Sequence, residues 1–193
     1  AFFWSPTGNQ IAYYRFDESK VREFNMPIYG SLYPQDKPFK YPKAGEDNSN
    51  VSIGVVELSS GNSSSYAPTN DVEYIPRVKW SSNDNALIIY TMNRHQSNLK
   101  LINYNPSAKS STILYEENNE AYIDITDNFY VVGANKGFIY TSEKSGFNHL
   151  HYQSWNGSKN YQITKGDWEV TEVYGFEENS GTIYFQGAKN SPM

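Results

Sequence analysis

The chain has no cysteine. Disulfides, thiolate nucleophiles and cysteine-ligated zinc are therefore excluded. The compartment stays open, because a well-packed domain of this size needs no covalent staple even in an oxidising space. Basic residues are few: 16 Lys and Arg face 21 Asp and Glu, for a formal net charge of −5. They are also scattered, so nucleic acid is not expected as a partner, since that needs a basic face. No apolar run approaches the ~20 residues that span a bilayer, so no membrane span is expected in this segment. Gly and Pro number only 13 and 9, too few for a collagen or a proline-rich linker. The opening Ala1-Phe2-Phe3-Trp4 has neither an initiator Met nor a basic stretch, so no signal peptide is visible there.

Aromatic residues, by contrast, are plentiful: 4 Trp, 17 Tyr and 10 Phe in 193 residues. A disordered chain lacks such large apolar side chains. The length suits one domain or a little more. Glycosylation patterns at Asn50, Asn62 and Asn156 are near chance in a chain so rich in Asn and Ser.

Short runs of Tyr, Phe, Ile and Val recur: Ile11 to Phe16, Ile53 to Leu58, Leu87 to Met92, Leu99 to Tyr104, Phe138 to Thr141, His149 to Trp155 and Ile183 to Phe185. Polar turn clusters separate them, among them Pro6-Thr7-Gly8-Asn9, Ser59-Ser60-Gly61-Asn62, Ser81-Ser82-Asn83-Asp84 and Asn156-Gly157. Asn and Gly supply the positive φ of tight hairpins. No window carries a helical apolar stripe. The pattern predicts an all-β, antiparallel fold of many hairpins.

The strands repeat as units. Trp4-Ser5-Pro6 through Tyr14 matches Trp80-Ser81-Ser82 through Tyr90. Degenerate copies follow at Gly137-Phe138-Ile139-Tyr140 and at Gly181 to Phe185. Another unit runs Glu73-Tyr74-Ile75, Ala121-Tyr122-Ile123, Asp167-Trp168-Glu169-Val170, stepping by 48 and 46 residues. Four-stranded propeller blades take ~40–45 residues, so the expectation is a partial β-propeller of about three to four antiparallel four-stranded blades. Tyr13, Tyr14, Phe16, Trp80, Tyr90, Tyr140 and Tyr184 read as packing between blades. An insertion over about residues 24–50 carries Pro27, Pro34, Pro38 and Pro42 with Tyr29, Tyr33, Phe39 and Tyr41. Proline cannot donate to a ladder, which predicts a long connection or edge excursion, folded back on its own blade.

Three segments are more specific. Ala1-Phe2-Phe3-Trp4-Ser5-Pro6-Thr7-Gly8-Asn9 through Phe16-Asp17-Glu18-Ser19, Tyr41-Pro42-Lys43-Ala44-Gly45-Glu46-Asp47-Asn48, and Thr164-Lys165-Gly166-Asp167-Trp168-Glu169-Val170 resemble the dipeptidyl peptidase IV branch of the prolyl oligopeptidase family. The resemblance runs along essentially the whole chain. It implies that residues 1–193 are part of a single N-terminal β-propeller domain, of eight blades in this family. In the family a separate α/β-hydrolase domain carries a Ser-Asp-His triad, its nucleophile on a Gly-x-Ser-x-Gly turn. No such element occurs here, and the hydrolase domain is expected to be absent from this segment. The segment then gates and positions peptides, and the parent would remove N-terminal dipeptides as a serine exopeptidase. The implied partners are peptide substrates and the parent's own hydrolase domain. The open edges of a partial ring, at its start and at Gly187 to Met193, also predict self-association into a homo-oligomer. The alternative is a non-enzymatic binding propeller of a cell-envelope protein. The absence of cysteine and the compact turns suit a bacterial periplasm, cell envelope or secreted setting.

The family grips the substrate's N-terminal ammonium with a glutamate pair, which the resemblance puts ahead of residue 1. Glu116-Glu117 and Glu177-Glu178 are not at that position and read as solvated turns. The family's rim loop falls at Thr126-Asp127-Asn128-Phe129-Tyr130, where Phe129 is either an aromatic wall for substrate or a core residue opening the next blade. His149 and His151 share a strand face and read as a metal pair or an ordinary strand pair. A third ligand is not evident, Asp124, Asp127 and Glu120 lack the EF-hand pattern, and no phosphate loop occurs. No catalytic residue, metal site or cofactor is therefore expected within the chain.

Overall fold

A computed structural model describes residues 1–189; the last four residues, the tail of the Gly187–Met193 stretch, lie outside the described residues. Among the described residues there are sixteen strands and no helix. β1 (Phe2–Trp4) and β2 (Gln10–Asp17) form a hairpin, then β3 (Glu23–Ile28) and β4 (Gln35–Lys40) leave it as a separate two-stranded ribbon. β5 (Asn50–Glu57) and β6 (Ser63–Tyr66) return to complete blade 1 in the order β1-β2-β5-β6. Blade 2 comprises β7 (Val78–Trp80), β8 (Leu87–Met92), β9 (Asn98–Asn105) and β10 (Ser110–Asn118). Blade 3 comprises β11 (Phe129–Val132), β12 (Gly137–Ser142), β13 (His149–Ser154) and β14 (Asn160–Gln162). β15 (Val170–Glu177) and β16 (Thr182–Gly187) pair as half of a fourth sheet. All pairings are antiparallel. Three full blades and a half match the expected partial propeller.

The sheets stack face to face, and β8 shows why. Side chains alternate across a strand with a period of two. Leu87 and Ile89 enter the cluster with Ala12, Ile53 and Val55 of blade 1. Ile88, Tyr90 and Met92 enter the cluster with Phe129, Phe138 and Tyr140 of blade 3. All six residues of β8 are buried, which is why this run reads as unbroken hydrophobic sequence. A third cluster joins Ile139 and Leu150 of blade 3 to Val170 and Val173 of β15. One apolar seam thus lies between each pair of neighbouring sheets. Tyr14, Trp80, Tyr90 and Tyr140 pack in these seams, but Tyr13, Phe16 and Tyr184 are largely exposed.

The Tyr74, Tyr122 and Trp168 repeat falls in the connectors between blades. Ile123 N donates to Gln96 O at 2.8 Å, and Val170 N donates to Asn148 O at 2.8 Å. These two connectors therefore dock on the middle turn of the blade just left, whereas Tyr74 bridges to Met92 of the blade it enters.

The insertion differs from expectation. It is a β-ribbon, with Pro27 opposite Asp36 and Pro38 opposite Asn25. A two-stranded ribbon leaves one edge of each strand unpaired, and proline is tolerated there. Nor does it fold back on its blade: Tyr29, Leu32 and Tyr33 at its tip are 80, 91 and 77% exposed. Its own rings hold it, Phe24 edge-on to Phe39 at 6.0 Å and Phe39 against Tyr41 at 5.8 Å, with Lys43 Nζ 5.2 Å from the Phe24 centroid. Only its base is tied down. Arg22 pairs with Glu46 at 3.1 Å, and Arg94 of blade 2 reaches Glu46 O at 2.8 Å and Glu73 Oε1 at 3.1 Å.

Candidate functional site

The first strands of the blades converge. Trp80 Nε1 on β7 donates to Phe3 O on β1 at 3.1 Å, and Arg77 Nε donates to Asp127 Oδ1, just ahead of β11, at 2.9 Å. The hairpin turns that follow these strands are also joined in series. Thr7 N donates to Asp84 Oδ1 at 3.2 Å, Ser82 Oγ to Asn135 Oδ1 at 3.2 Å, and Gly133 N to Glu178 Oε1 at 2.8 Å. In a set of radiating sheets the edge where strands meet is the axial edge. β1, β7 and β11 therefore form the inner face of the arc.

A recess of about 970 Å³ opens on this face between blades 1 and 2. Its walls include Phe3, Trp4, Tyr14, Phe16 and Trp80, and its charged groups are Arg77, Lys79 and Asp127. Phe3 meets Tyr14 edge-on at 6.2 Å, and Tyr14 stacks on Phe16 at 5.9 Å. Arg77 and Lys79, two residues apart, project from the same side of the strand. Lys79 Nζ lies 3.9 Å from Asp127 Oδ1 and also donates to the Asp127 backbone carbonyl. Burial pulls the Lys79 ammonium below its ordinary pKa, partly offset by Asp127. Burial also raises the Tyr14 phenol, and the nearby Arg77 charge opposes that shift. Asp127 comes from the predicted rim loop, so the structure brings that loop over the recess.

Phe129 is placed elsewhere. It is 7% exposed, stacks on Phe138 at 5.1 Å and meets Tyr90 edge-on at 6.3 Å. Its ring opens blade 3 as part of the core, the second of the two roles considered for it.

A second, enclosed cavity of about 70 Å³ sits between blades 2 and 3, with Tyr115, Glu117, Tyr140 and Ser142 in its lining. Glu117 corrects the expectation of a solvated turn. It lies in β10 at 8% exposure, taking hydrogen bonds from Tyr115 Oη at 2.5 Å and Ser142 Oγ at 2.8 Å. A strand alternates its side chains, so Glu117 points inward while its neighbour Glu116 is exposed. Lys144 Nζ donates to Tyr140 Oη at 2.8 Å and to Tyr115 Oη at 3.4 Å, so its charge reaches Glu117 through the tyrosine. Burial, then Tyr140 and Glu117, pushes the Tyr115 phenol far up. Glu178 is exposed as expected, though it accepts the Gly133 bond.

His149 and His151 are both buried. His149 Nδ1 lies 3.0 Å from Thr164 Oγ1 and its Nε2 3.0 Å from Gly166 O, so both ring nitrogens are engaged. His151 stacks on Tyr140 at 5.4 Å. No metal-holding group of three or more His, Cys, Asp or Glu exists among the described residues.

Sequence reasoning passed over Arg77 and Lys79, and it placed Glu117 in a solvated turn. A signal for the first two was present. Arg77-Val78-Lys79 alternates directly before Trp80-Ser81, the start of a repeat whose first strand lines the axis.

The fold and its axial recess define an arc of a β-propeller. The family model described as the dipeptidyl peptidase IV (DPP IV) N-terminal region matches residues 1–193, and the chain belongs to that family. It is similar to dipeptidyl peptidase 4 of Arthroderma otae, 30% identical over 98% of this chain and 26% of that protein. It is likewise 30% identical to dipeptidyl aminopeptidase B of Saccharomyces cerevisiae, over 99% of this chain and 25% of that protein. The crystal structure of Porphyromonas gingivalis dipeptidyl peptidase 4 superposes with a TM-score of 0.86 at 36% identity, covering 98% of this chain and 27% of that one. The chain thus spans about a quarter of the length of the relatives it matches.

Proposed function

We propose that this chain is a non-catalytic propeller segment of a dipeptidyl peptidase IV-like serine exopeptidase. It gates and positions peptides while a separate hydrolase domain cleaves N-terminal dipeptides. One observation carries the reading: a family propeller whose inner face presents a recess of about 970 Å³ with aromatic walls and paired cations. Clefts of ~300–1,000 Å³ with apolar walls and a few placed polar groups are the usual form of ligand sites. Among the described residues no nucleophile stands with an orienting base and acid, which supports assigning catalysis to a separate domain.

The full-length parent should release the chromophore from a Gly-Pro chromogenic amide, and the purified 193-residue chain should not. Turnover by the isolated chain refutes the division of labour. A parent frame with no Gly-x-Ser-x-Gly element downstream favours the binding propeller instead. Exposed Phe2 and Trp4 on blade 1 and Tyr174 and Tyr184 on the last strand pair support self-association of the isolated chain. Light scattering at micromolar concentration should report oligomers, and a monomer overturns this. The parent is assigned to the bacterial cell envelope, periplasm or exterior. Recovery in the cytoplasmic fraction overturns that assignment.

A further inference from the structure

We propose that the recess between blades 1 and 2 receives the anionic part of a peptide, a C-terminal carboxylate or an Asp or Glu side chain, on Arg77 and Lys79. The inference rests on the peptide-positioning role above and names the chemistry that the inner face selects.

The charges do not balance within the recess. Its lining holds two cations and one anion, Asp127, whose side chain is 67% exposed. Arg77 uses Nε on Asp127 and Nη1 on the Pro76 carbonyl at 2.9 Å. Its Nη2 has no protein partner among the described residues. A guanidinium is suited to carboxylates because its planar fork can present two parallel N–H groups to both oxygens. Lys79 adds a second charge from the same strand side. Its half-buried position weakens hydration, and a second carboxylate nearby would restore what burial takes away.

The walls sharpen the selection. Phe3, Tyr14, Phe16 and Trp80 lower the local dielectric, and a charge pair gains strength there. They also offer ring faces to an apolar side chain next to the anion. Asp127 then has a definite role. It holds the two cations in place when no peptide is present, and it competes for them when one arrives.

The test uses the full-length protein and equilibrium binding, which needs no turnover. Three dye-labelled peptides share one neutral sequence beginning Gly-Pro, with the amide after proline replaced by an uncleavable alkene isostere: one has a free C-terminus, one has an amidated C-terminus and an internal Asp, and one is amidated with no acid. Fluorescence anisotropy at low salt should show one or both acid-bearing peptides binding about tenfold or more tighter than the neutral one, as one charge-assisted contact gives. Which of the two gains identifies the source of the carboxylate. Arg77→Gln with Lys79→Gln should abolish the preference, and Asp127→Asn should strengthen it several-fold by removing the competitor. Equal affinities for all three peptides in the wild-type protein overturn the proposal. So does an unchanged preference in the double variant, with its fold checked by circular dichroism. Should that variant not fold, Asp127→Asn decides: a preference that stays the same or falls overturns it. Failure of the parent to cleave the Gly-Pro chromogenic amide would instead sink the functional reading and leave the binding result standing on its own.

Discussion

Phe138, in the seam between blades 2 and 3, is fully buried, whereas Tyr33 at the ribbon tip is 77% exposed. Both regions are rich in rings. In the seam rings also come from separate blades: Tyr90 of blade 2 meets Phe129 of blade 3 edge-on at 6.3 Å, and Tyr115 of blade 2 lies 4.6 Å from Tyr140 of blade 3. In the ribbon they come from facing strands and the residues just beyond, Phe24, Phe39 and Tyr41. Seam contacts close long stretches of chain and bury area on both partners. Ribbon contacts are local, and they leave Phe24 and Phe39 partly exposed and Tyr41 largely so. Composition reports how many rings there are, and topology decides which of them stabilise the fold.

The widest gap between the two regions should appear on truncation. Phe138→Ala is expected to cost about 3–5 kcal/mol in urea unfolding, as for buried aromatic residues generally. A cost below about 1 kcal/mol would mean the seam does not hold the arc together. Glu117→Leu comes next, at about 1–3 kcal/mol, because Tyr115 and Ser142 lose their acceptor inside the seam. Glu117→Gln should cost less, since an amide oxygen still accepts one of these bonds.

The seam should also respond to acid, and the ribbon should not. His151 is 2% exposed, and burial, with the Lys144 charge behind it, pulls its pKa down to about 4. An unfolded histidine titrates near ~6.5. Between those values only the unfolded chain binds the proton. Stability is therefore complete above about pH 6.5 and falls as pH drops towards 4. His151→Gln should flatten this slope in unfolding midpoints recorded across that range. A slope left unchanged assigns the acid sensitivity to other groups. At the small end, Tyr33→Ser should move the unfolding midpoint by less than ~0.5 kcal/mol, as exposed positions do. Arg94→Ala should raise amide exchange in the ribbon and leave β8 protected; exposure of β8 as well would show that the ribbon base supports blade 2.

The central strands were legible because both of their faces are buried. Leu87 to Met92 appears in the structure with the bounds read from sequence. β10 escaped notice because its first half, Ser110 to Ile113, is exposed and carries no apolar alternation. The ribbon was misread because a proline argues against a strand only where both edges need donors, and Pro27 and Pro38 each sit on a single pair. The site was less legible still. Glu117 looks like one of several acids in a polar stretch until β10 is paired and its alternate residues turn inward. Arg77 and Asp127 are fifty positions apart, and only the stacking of blades 2 and 3 brings them to 2.9 Å.

The turn-to-turn bonds from Thr7 to Asp84, Ser82 to Asn135 and Gly133 to Glu178 each link only adjacent members of the series. Such an assembly behaves as a chain of hinges with nearest-neighbour stiffness. Load applied at one joint is borne there and not shared around the curve. Loss of one joint therefore leaves the hydrogen bonds of the other two in place.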